Sequence, residues 1–188
     1  MFKLYEHNAL TLALIDPLFA PDYFQLVCQD RDYLSQWLAW PMHAKDDAFF
    51  AEFAKRSLSE YAQGKSMVCS IFYANALVGT VSFNQIKPEL KKVEIGYWLR
   101  ESAQGKGLMT QSVEVMITHA FNVLHMEKIE IHAAVENKPS RGVCERLGFR
   151  LEGVITRNES INGRVVDHAV YGLSRKDWQQ QKNINTNE

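Results

Sequence analysis

Two closely spaced glycines, in a turn between a predicted strand and a predicted helix, are the first residues whose spacing suggests chemistry. The turn reads Gln104-Gly105-Lys106-Gly107-Leu108-Met109-Thr110. Glycine lets a backbone approach a ligand closely, and the first turn of a helix presents N–H groups without partners in the helix itself. The pattern predicts a binding site for a phosphate or pyrophosphate, although a plain turn would fit the same residues.

Two common phosphate-binding motifs do not fit this turn. A nucleoside triphosphate loop needs Gly-Lys followed by Ser or Thr, but Gly105-Lys106 is followed by Gly107. A dinucleotide fingerprint needs a third glycine where Thr110 stands. Coenzyme A, which also carries a pyrophosphate, is therefore the better ligand.

The turn and a second block further along the chain resemble the GNAT superfamily of N-acetyltransferases. Gln104-x-x-Gly107-x-Met109 is similar to the Q/R-x-x-G-x-G/A acyl-CoA signature of that family, with Met109 in place of Gly or Ala. Asn137-x-x-Ser140 and Arg146-Leu147-Gly148-Phe149 resemble the family's second block. The resemblance extends over about residues 10–177. Within the family, residues 37–41 and 95–99 resemble the RimL/RimJ type, which acetylates the N-terminal serine of a ribosomal protein.

The resemblance implies a set of cofactor residues and a catalytic pair. Acetyl-CoA or CoA would be bound by Tyr97, Trp98, Leu99, Gln104, Gly105, Lys106, Gly107, Leu108, Met109, Thr110, Asn137 and Ser140. Pantetheine would lie between residues 96–100 and 134–137, the Ser140 hydroxyl would contact the CoA sulfur, and Glu159 would draw the amine proton through water. Trp37 and Trp40 would lie beside the acceptor, and no metal is implied.

Each of these assignments has an alternative. Ser140 and Asn137 could instead cap a helix and end a strand, and Glu159 could be an exposed carboxylate at a strand end. Many GNAT enzymes have a tyrosine acid where this chain has Cys144, so Ser140 is the preferred acid. His132 and Glu94 are rival bases, although the first is more typical of a core histidine and the second of a strand edge.

The weak base favours an α-amine acceptor. An α-amine with a pKa near 7.7–8.0 is partly neutral at physiological pH, whereas a lysine near 10.4 needs more help. The acceptor would then be the N-terminus of a ribosomal protein, attacking acetyl-CoA directly in a ternary complex. A small polyamine or antibiotic is the alternative acceptor. A non-catalytic acyl-CoA-binding regulator, or a structural module associated with the ribosome, remains a different class of function.

The elements that must position these residues follow from hydrophobic periodicity. Strands are predicted at 10–14, 67–73, 77–86, 93–99, 128–135, 149–158 and 165–173, and helices at 21–40 (bent or broken), 46–64, 108–124 and 139–147. This order predicts an α/β (α+β) GNAT fold. Its sheet would be mixed, mostly antiparallel and seven-stranded, with a central split and helices on both faces.

Composition narrows the class of protein further. A chain of 188 residues fits one domain, taken as 1–181, with a flexible tail at 182–188. A net charge of -1 gives no support to direct binding of nucleic acid. No apolar run is long enough for a membrane span or a signal peptide, so we expect a cytoplasmic protein. Its 3 cysteines are widely spaced and form no C-x-x-C pair, so the sequence predicts neither a disulfide nor a zinc site. A homodimer sharing a groove for the acceptor is compatible with the resemblance.

Overall fold

The computed structural model describes residues 1–185, which form one sheet with helices packed around it. The strands are β1 (Lys3–His7), β2 (Leu10–Leu14), β3 (Met67–Tyr73), β4 (Ala76–Lys87), β5 (Lys92–Leu99), β6 (Lys128–Ala134), β7 (Arg150–Ile161) and β8 (Arg164–Ser174). The α-helices are α1 (Ala20–Leu34), α2 (Asp47–Ala62), α3 (Leu108–Asn122), α4 (Lys138–Arg146) and α5 (Arg175–Asn185). Within residues 1–185, no helix has the length and hydropathy that a membrane span requires.

The sheet is mixed and opens at its centre. Over the described residues it has eight strands in the order β1-β2-β3-β4-β5-β6-β8-β7. Neighbours pair antiparallel except β5 and β6, which are parallel. The parallel pairing covers only Lys92–Ile95 against Lys128–Ile131, so the two strands separate beyond Ile95. The predicted mixed, mostly antiparallel sheet with a central split is confirmed, with one strand more than expected.

The additional strand is β1, at the edge of the sheet. It pairs with β2 through a tight turn in which Asn8 has a φ of 52°. Most of its side chains are exposed or only half-buried, because the strand covers little of the core. An edge strand of this kind shows no alternation of apolar and polar residues, which is the signal that predicts strands from sequence.

Helix α5 occupies part of the segment predicted as a tail. It begins at Arg175 and extends through Asn185, so the predicted flexible tail at 182–188 overlaps its last turn, and residues 186–188 lie outside the described chain. The helix docks through Trp178, whose ring lies 5.0 Å from that of Phe121 in α3. Most residues of this helix are polar, and one buried aromatic side chain is too little to give a periodic apolar pattern.

Helices cover both faces of the sheet. In β3, Cys69 and Ile71 belong to the larger core beneath α3, whereas Val68 packs into the smaller core beneath α1 and α2. Successive side chains of a strand point to opposite faces, so one strand supplies both cores. Each fully buried aliphatic or aromatic side chain contributes roughly 1.5–3 kcal/mol by leaving water. These cores hold β5, β6 and α3 in fixed positions around the opening of the sheet.

Candidate functional site

The glycine turn leads directly into α3. Gly105 and Gly107 have φ angles of 72° and 73°, a left-handed conformation that costs other residues free energy. Helix α3 begins at Leu108, and among the described residues no side chain hydrogen-bonds to the N-terminal amides that follow the Gly107 cap. These amides and the positive end of the helix dipole therefore remain available to an anion.

A cavity of about 730 Å³, here named the central cavity, runs from this turn into the opening between β5 and β6. Most of the predicted cofactor residues line it, namely Tyr97, Trp98, Leu99, Gln104, Gly105, Gly107, Met109, Thr110, Asn137 and Ser140. It is also lined by Trp37 and by Glu159, the predicted acceptor residue and base, and the part of the cavity around Glu159 is here named the acceptor end. The structure therefore brings the two sequence blocks and the predicted base into one cavity.

Three predicted site residues do not line the central cavity. The Lys106 ammonium lies 5.4 Å from the centre of the Tyr73 ring, in a cation–π contact that turns it aside. Leu108 is buried in the larger core, as the first apolar residue of α3 must be to anchor that helix. The Trp40 ring packs against Trp98, 5.6 Å away, and so supports the cavity wall from behind rather than forming it.

A hydroxyl pair lies at the middle of the central cavity. The Tyr97 hydroxyl donates to the Ser140 carbonyl at 2.9 Å and accepts from the Ser140 hydroxyl at 3.2 Å. Asn137 caps α4, since its Oδ1 accepts from the Ser140 N–H at 3.2 Å. The capping role predicted as an alternative for Ser140 thus belongs to Asn137, and the Ser140 side chain is directed to Tyr97.

The surroundings keep the phenol and the neighbouring thiol protonated. Burial raises the pKa of Tyr97 well above its usual range. Burial likewise raises the pKa of Cys144, which lies 3.7 Å from the Tyr97 hydroxyl, to about 11. These groups can donate hydrogen bonds at neutral pH, but they cannot serve as anionic nucleophiles.

The acceptor end of the central cavity contains an unexpected histidine. His168 of β8 approaches Glu159 with its Nε2 3.1 Å from the carboxylate Oε2. Its Nδ1 lies 3.1 Å from the Nδ2 of Asn158. The rival bases also line this end: Glu94 accepts a long hydrogen bond of 3.4 Å from Asn84, and the buried Nε2 of His132 has no hydrogen-bond partner in the described chain.

Sequence reasoning missed several lining residues. The hydroxyl of Tyr33 accepts a hydrogen bond from the Gln104 amide, yet its position in α1 indicates only an apolar stripe. The Nε of Arg146 donates to the Thr110 hydroxyl at 3.4 Å. Arg146 belongs to the second sequence block, which could have indicated that it lines the cavity. Asn158 and His168 gave no signal, because a local irregularity in the hairpin brings them together.

The residues present fit coenzyme A. The uncapped N-terminus of α3 and the side chains of Lys138 and Arg146, which line the same end, suit a pyrophosphate and phosphate. The volume above Gly105 is open, since a Cβ there would meet nothing within 4 Å. The central cavity then continues past Tyr97 between the separated strands, where an extended arm could follow. In the part of the chain that the structure describes, no cluster of side chains could hold a metal ion.

Comparisons with known proteins agree with this geometry. The family described as "Acetyltransferase (GNAT) domain" matches residues 10–150. The ribosomal-protein-serine acetyltransferase of Escherichia coli (strain K12) is 32% identical over 148 residues, which cover 79% of this chain and 83% of that protein.

Solved structures superpose over nearly the whole chain. The ribosomal L7/L12 α-N-protein acetyltransferase RimL in complex with coenzyme A gives a TM-score of 0.88 at 30% identity, covering 93% of this chain and 99% of that one. The microcin C7 self-immunity acetyltransferase MccE in complex with acetyl-CoA and AMP gives 0.86 at 28% identity, covering 89% and 93%. Sequence, fold and site therefore agree that this chain belongs to the GNAT acetyltransferase family and is an acetyl-CoA-dependent N-acetyltransferase.

Proposed function

We propose that this enzyme acetylates the N-terminal α-amine of a protein, and that a ribosomal protein beginning with serine is its acceptor. The observation that carries the proposal is that Glu159 lines the central cavity from β7, on the other side of the β5–β6 opening from the glycine turn. The similarity to acetyltransferases of ribosomal proteins supports the same acceptor class. Such an acceptor would make the cytoplasm the place of action.

The charge at the acceptor end suits an α-amine better than a polyamine. Its anionic side chains are Glu94 and Glu159, and the other polar residues there are the amides and imidazoles of Asn84, Asn158, His132 and His168. A polyamine carries several cationic amines and would favour a row of carboxylates. An α-amine has a pKa near 7.7–8.0 and is partly neutral at physiological pH, so one carboxylate suffices to take its proton.

The proposed chemistry assigns one role to each residue of the catalytic pair. Bound acetyl-CoA supplies the thioester and its acetyl group. The Glu159 carboxylate takes a proton from the acceptor amine through water, and the amine attacks directly. The Ser140 hydroxyl, whose one O–H is donated to Tyr97 in this structure, turns to donate that hydrogen bond to the departing thiolate. Trp37, over whose ring the Arg164 guanidinium lies at 5.3 Å, forms the wall beside the acceptor.

The test is release of the CoA thiol from acetyl-CoA with three acceptors. These are a peptide with the serine-starting N-terminus of a ribosomal protein, the same peptide starting with alanine, and spermidine. Each is assayed with the wild type, Ser140→Ala, Glu159→Gln and the control Glu152→Gln. Glu152 lies on the same strand and is similarly exposed, 41% against 42% for Glu159, but its carboxylate pairs with Lys128 away from the cavity.

We expect fastest turnover on the serine peptide. Ser140→Ala and Glu159→Gln should each lower kcat by about 10²-fold or more, as loss of a general acid or base does, and Glu152→Gln should stay near wild type. Turnover on spermidine alone would move the function to small amines. Binding of acetyl-CoA without turnover on any acceptor would indicate a non-catalytic regulator and contradict the proposal.

A further inference from the structure

The hairpin of β7 and β8 contains a bulge beside the acceptor end of the central cavity. Ile155 pairs with His168 and Glu159 pairs with Val166, so residues 156–158 lie opposite Asp167 alone. Arg157 adopts a φ of 54°, and its N–H donates to the Asp167 carboxylate at 2.7 Å. Bulges redirect side chains near active sites. Here the bulge brings Asn158 and Glu159 to the same histidine.

The contacts of His168 fix which ring nitrogen carries the proton. The Nδ2 of Asn158, 3.1 Å from Nδ1, is an amide nitrogen that can only donate, so Nδ1 must accept with its lone pair. The neutral ring therefore carries its proton on Nε2. The Nε2 lies 3.1 Å from the Glu159 Oε2, within ion-pair distance. The ring edge that carries the proton is therefore in contact with the carboxylate.

The same contacts exclude His168 as the base. A base needs a free lone pair within reach of the proton that it takes. In His168 the Nδ1 lone pair accepts from Asn158, and Nε2, which faces Glu159 at 3.1 Å, carries the proton. The second carboxylate oxygen of Glu159 accepts from no side chain of the described residues, and so it can face the amine or the water.

We propose that His168, with its tautomer fixed by Asn158, is a positioning residue that holds the Glu159 carboxylate toward the acceptor. This inference rests on the proposed function, in which Glu159 is the base. The Glu159 side chain is 42% exposed and would otherwise sample many rotamers, whereas that of His168 is only 12% exposed and fixed between strands. Loss of alignment in a catalytic group can cost about 10²-fold in rate.

Substitutions at His168 separate this role from simple packing. His168→Gln keeps an N–H donor for Glu159, whereas His168→Leu keeps apolar volume and removes the donor. Both are also combined with Glu159→Gln. Steady-state kinetics on the best acceptor give kcat and the KM for acetyl-CoA, and thermal unfolding shows whether each variant is folded.

The positioning role predicts a specific pattern of rates. His168→Leu should lower kcat by about 10- to 100-fold with KM for acetyl-CoA unchanged, and His168→Gln should recover most of the loss. The double variant His168→Leu/Glu159→Gln should be no slower than Glu159→Gln alone, because one residue acts through the other. Equal losses in Leu and Gln variants, or additive losses in the double variant, would overturn the role.

A second measurement does not depend on turnover. In protein with ¹⁵N-labelled histidine, NMR should show the neutral His168 ring protonated on Nε2 and unprotonated on Nδ1, and Glu159→Gln should shift the Nε2 resonance. The opposite tautomer would overturn the inference whatever the acceptor. Wild-type turnover in Glu159→Gln would overturn the base assignment and this inference together, whereas loss in Glu159→Gln with none in His168→Leu would overturn the positioning role alone.

Discussion

At the scale of single residues, the groups at the middle of the central cavity favour direct attack by the acceptor. Burial keeps Tyr97 and Cys144 protonated by raising their pKa values, that of Cys144 to about 11. A protonated thiol is a poor nucleophile, so an acetyl-enzyme on Cys144 is disfavoured. The hydroxyl of Ser140 donates to Tyr97 here and must turn away from it to donate a hydrogen bond to a thiolate.

The thiols should differ sharply in reactivity. Iodoacetamide at about pH 8 should alkylate Cys28 and spare Cys69 and Cys144 in the folded protein, because alkylation needs an accessible thiolate. Cys28 is exposed, and burial raises the pKa of Cys69 to about 12 and of Cys144 to about 11. Peptide mass spectrometry measures the outcome, with denatured protein as the control in which all are modified. Fast alkylation of Cys144 in the folded enzyme, with loss of turnover, would contradict this prediction and support a mechanism with an acetyl-enzyme intermediate on Cys144.

Individual site residues could be predicted where they belong to a sequence motif. Residues that only the folded geometry brings into the site could not be predicted. Asn137, Ser140 and Glu159 were identified through resemblance, and all of them line the central cavity. His168 and Asn158 were missed because their contact depends on the bulge at Arg157. The positive φ of this bulge is adopted by an arginine, and so no glycine in the sequence predicts it. A bulge arises from the balance of pairing along two whole strands, which short patterns do not record.

At the scale of elements, strands and helices were predictable where one face is buried. Strand β3 was predicted with the bounds that it has, Met67–Tyr73, because its apolar run is bounded by turn residues. The turn between β7 and β8 is Asn162-Gly163, with φ angles of 49° and 87° that this pair adopts readily. Strand β1 and helix α5 each bury too few side chains to impose a period.

The glycine turn before α3 should be needed for the cofactor and not only for folding. Gly105→Ala places a Cβ at a φ of 72° and should lower the free energy of unfolding by about 1–2 kcal/mol. It should also raise the KM for acetyl-CoA by about tenfold, equal to about 1.4 kcal/mol of binding, because the turn must present its amides to the pyrophosphate. Chemical denaturation and steady-state kinetics measure the two effects.

Gly64→Ala is the matched control for this prediction. Gly64 follows the end of α2 with a φ of 69°, and as at Gly105, a Cβ added there would meet nothing within 4 Å. It does not line the central cavity. The backbone cost should therefore be similar, with the KM for acetyl-CoA unchanged. An equal rise in KM for both variants would mean that general destabilisation, and not the loss of pyrophosphate binding, raises the KM of Gly105→Ala.

At the scale of the whole molecule, the sheet consists of two parts with a weak junction. Strands β1 to β5 form one part and β6, β8 and β7 the other, and they pair only along Lys92–Ile95 and Lys128–Ile131. Helix α3 connects β5 to β6 across one face and packs on the larger core. The central cavity lies where the pairing ends, so a ligand within it contacts both parts of the sheet.

Coenzyme A should consequently stabilise the fold as a whole. A ligand that binds only the folded state at about 100 times its Kd adds about 2.7 kcal/mol to the free energy of unfolding. For a chain of this size that corresponds to a rise in Tm of about 5–10 °C, measured by calorimetry across a CoA titration. Gly64→Ala should show the full rise, and Gly105→Ala a smaller one at the same CoA concentration, because only the second variant weakens the pyrophosphate site. A Tm that stays constant in the wild type would mean that the central cavity does not hold the coenzyme, whereas equal rises in both variants would place its phosphates away from the turn.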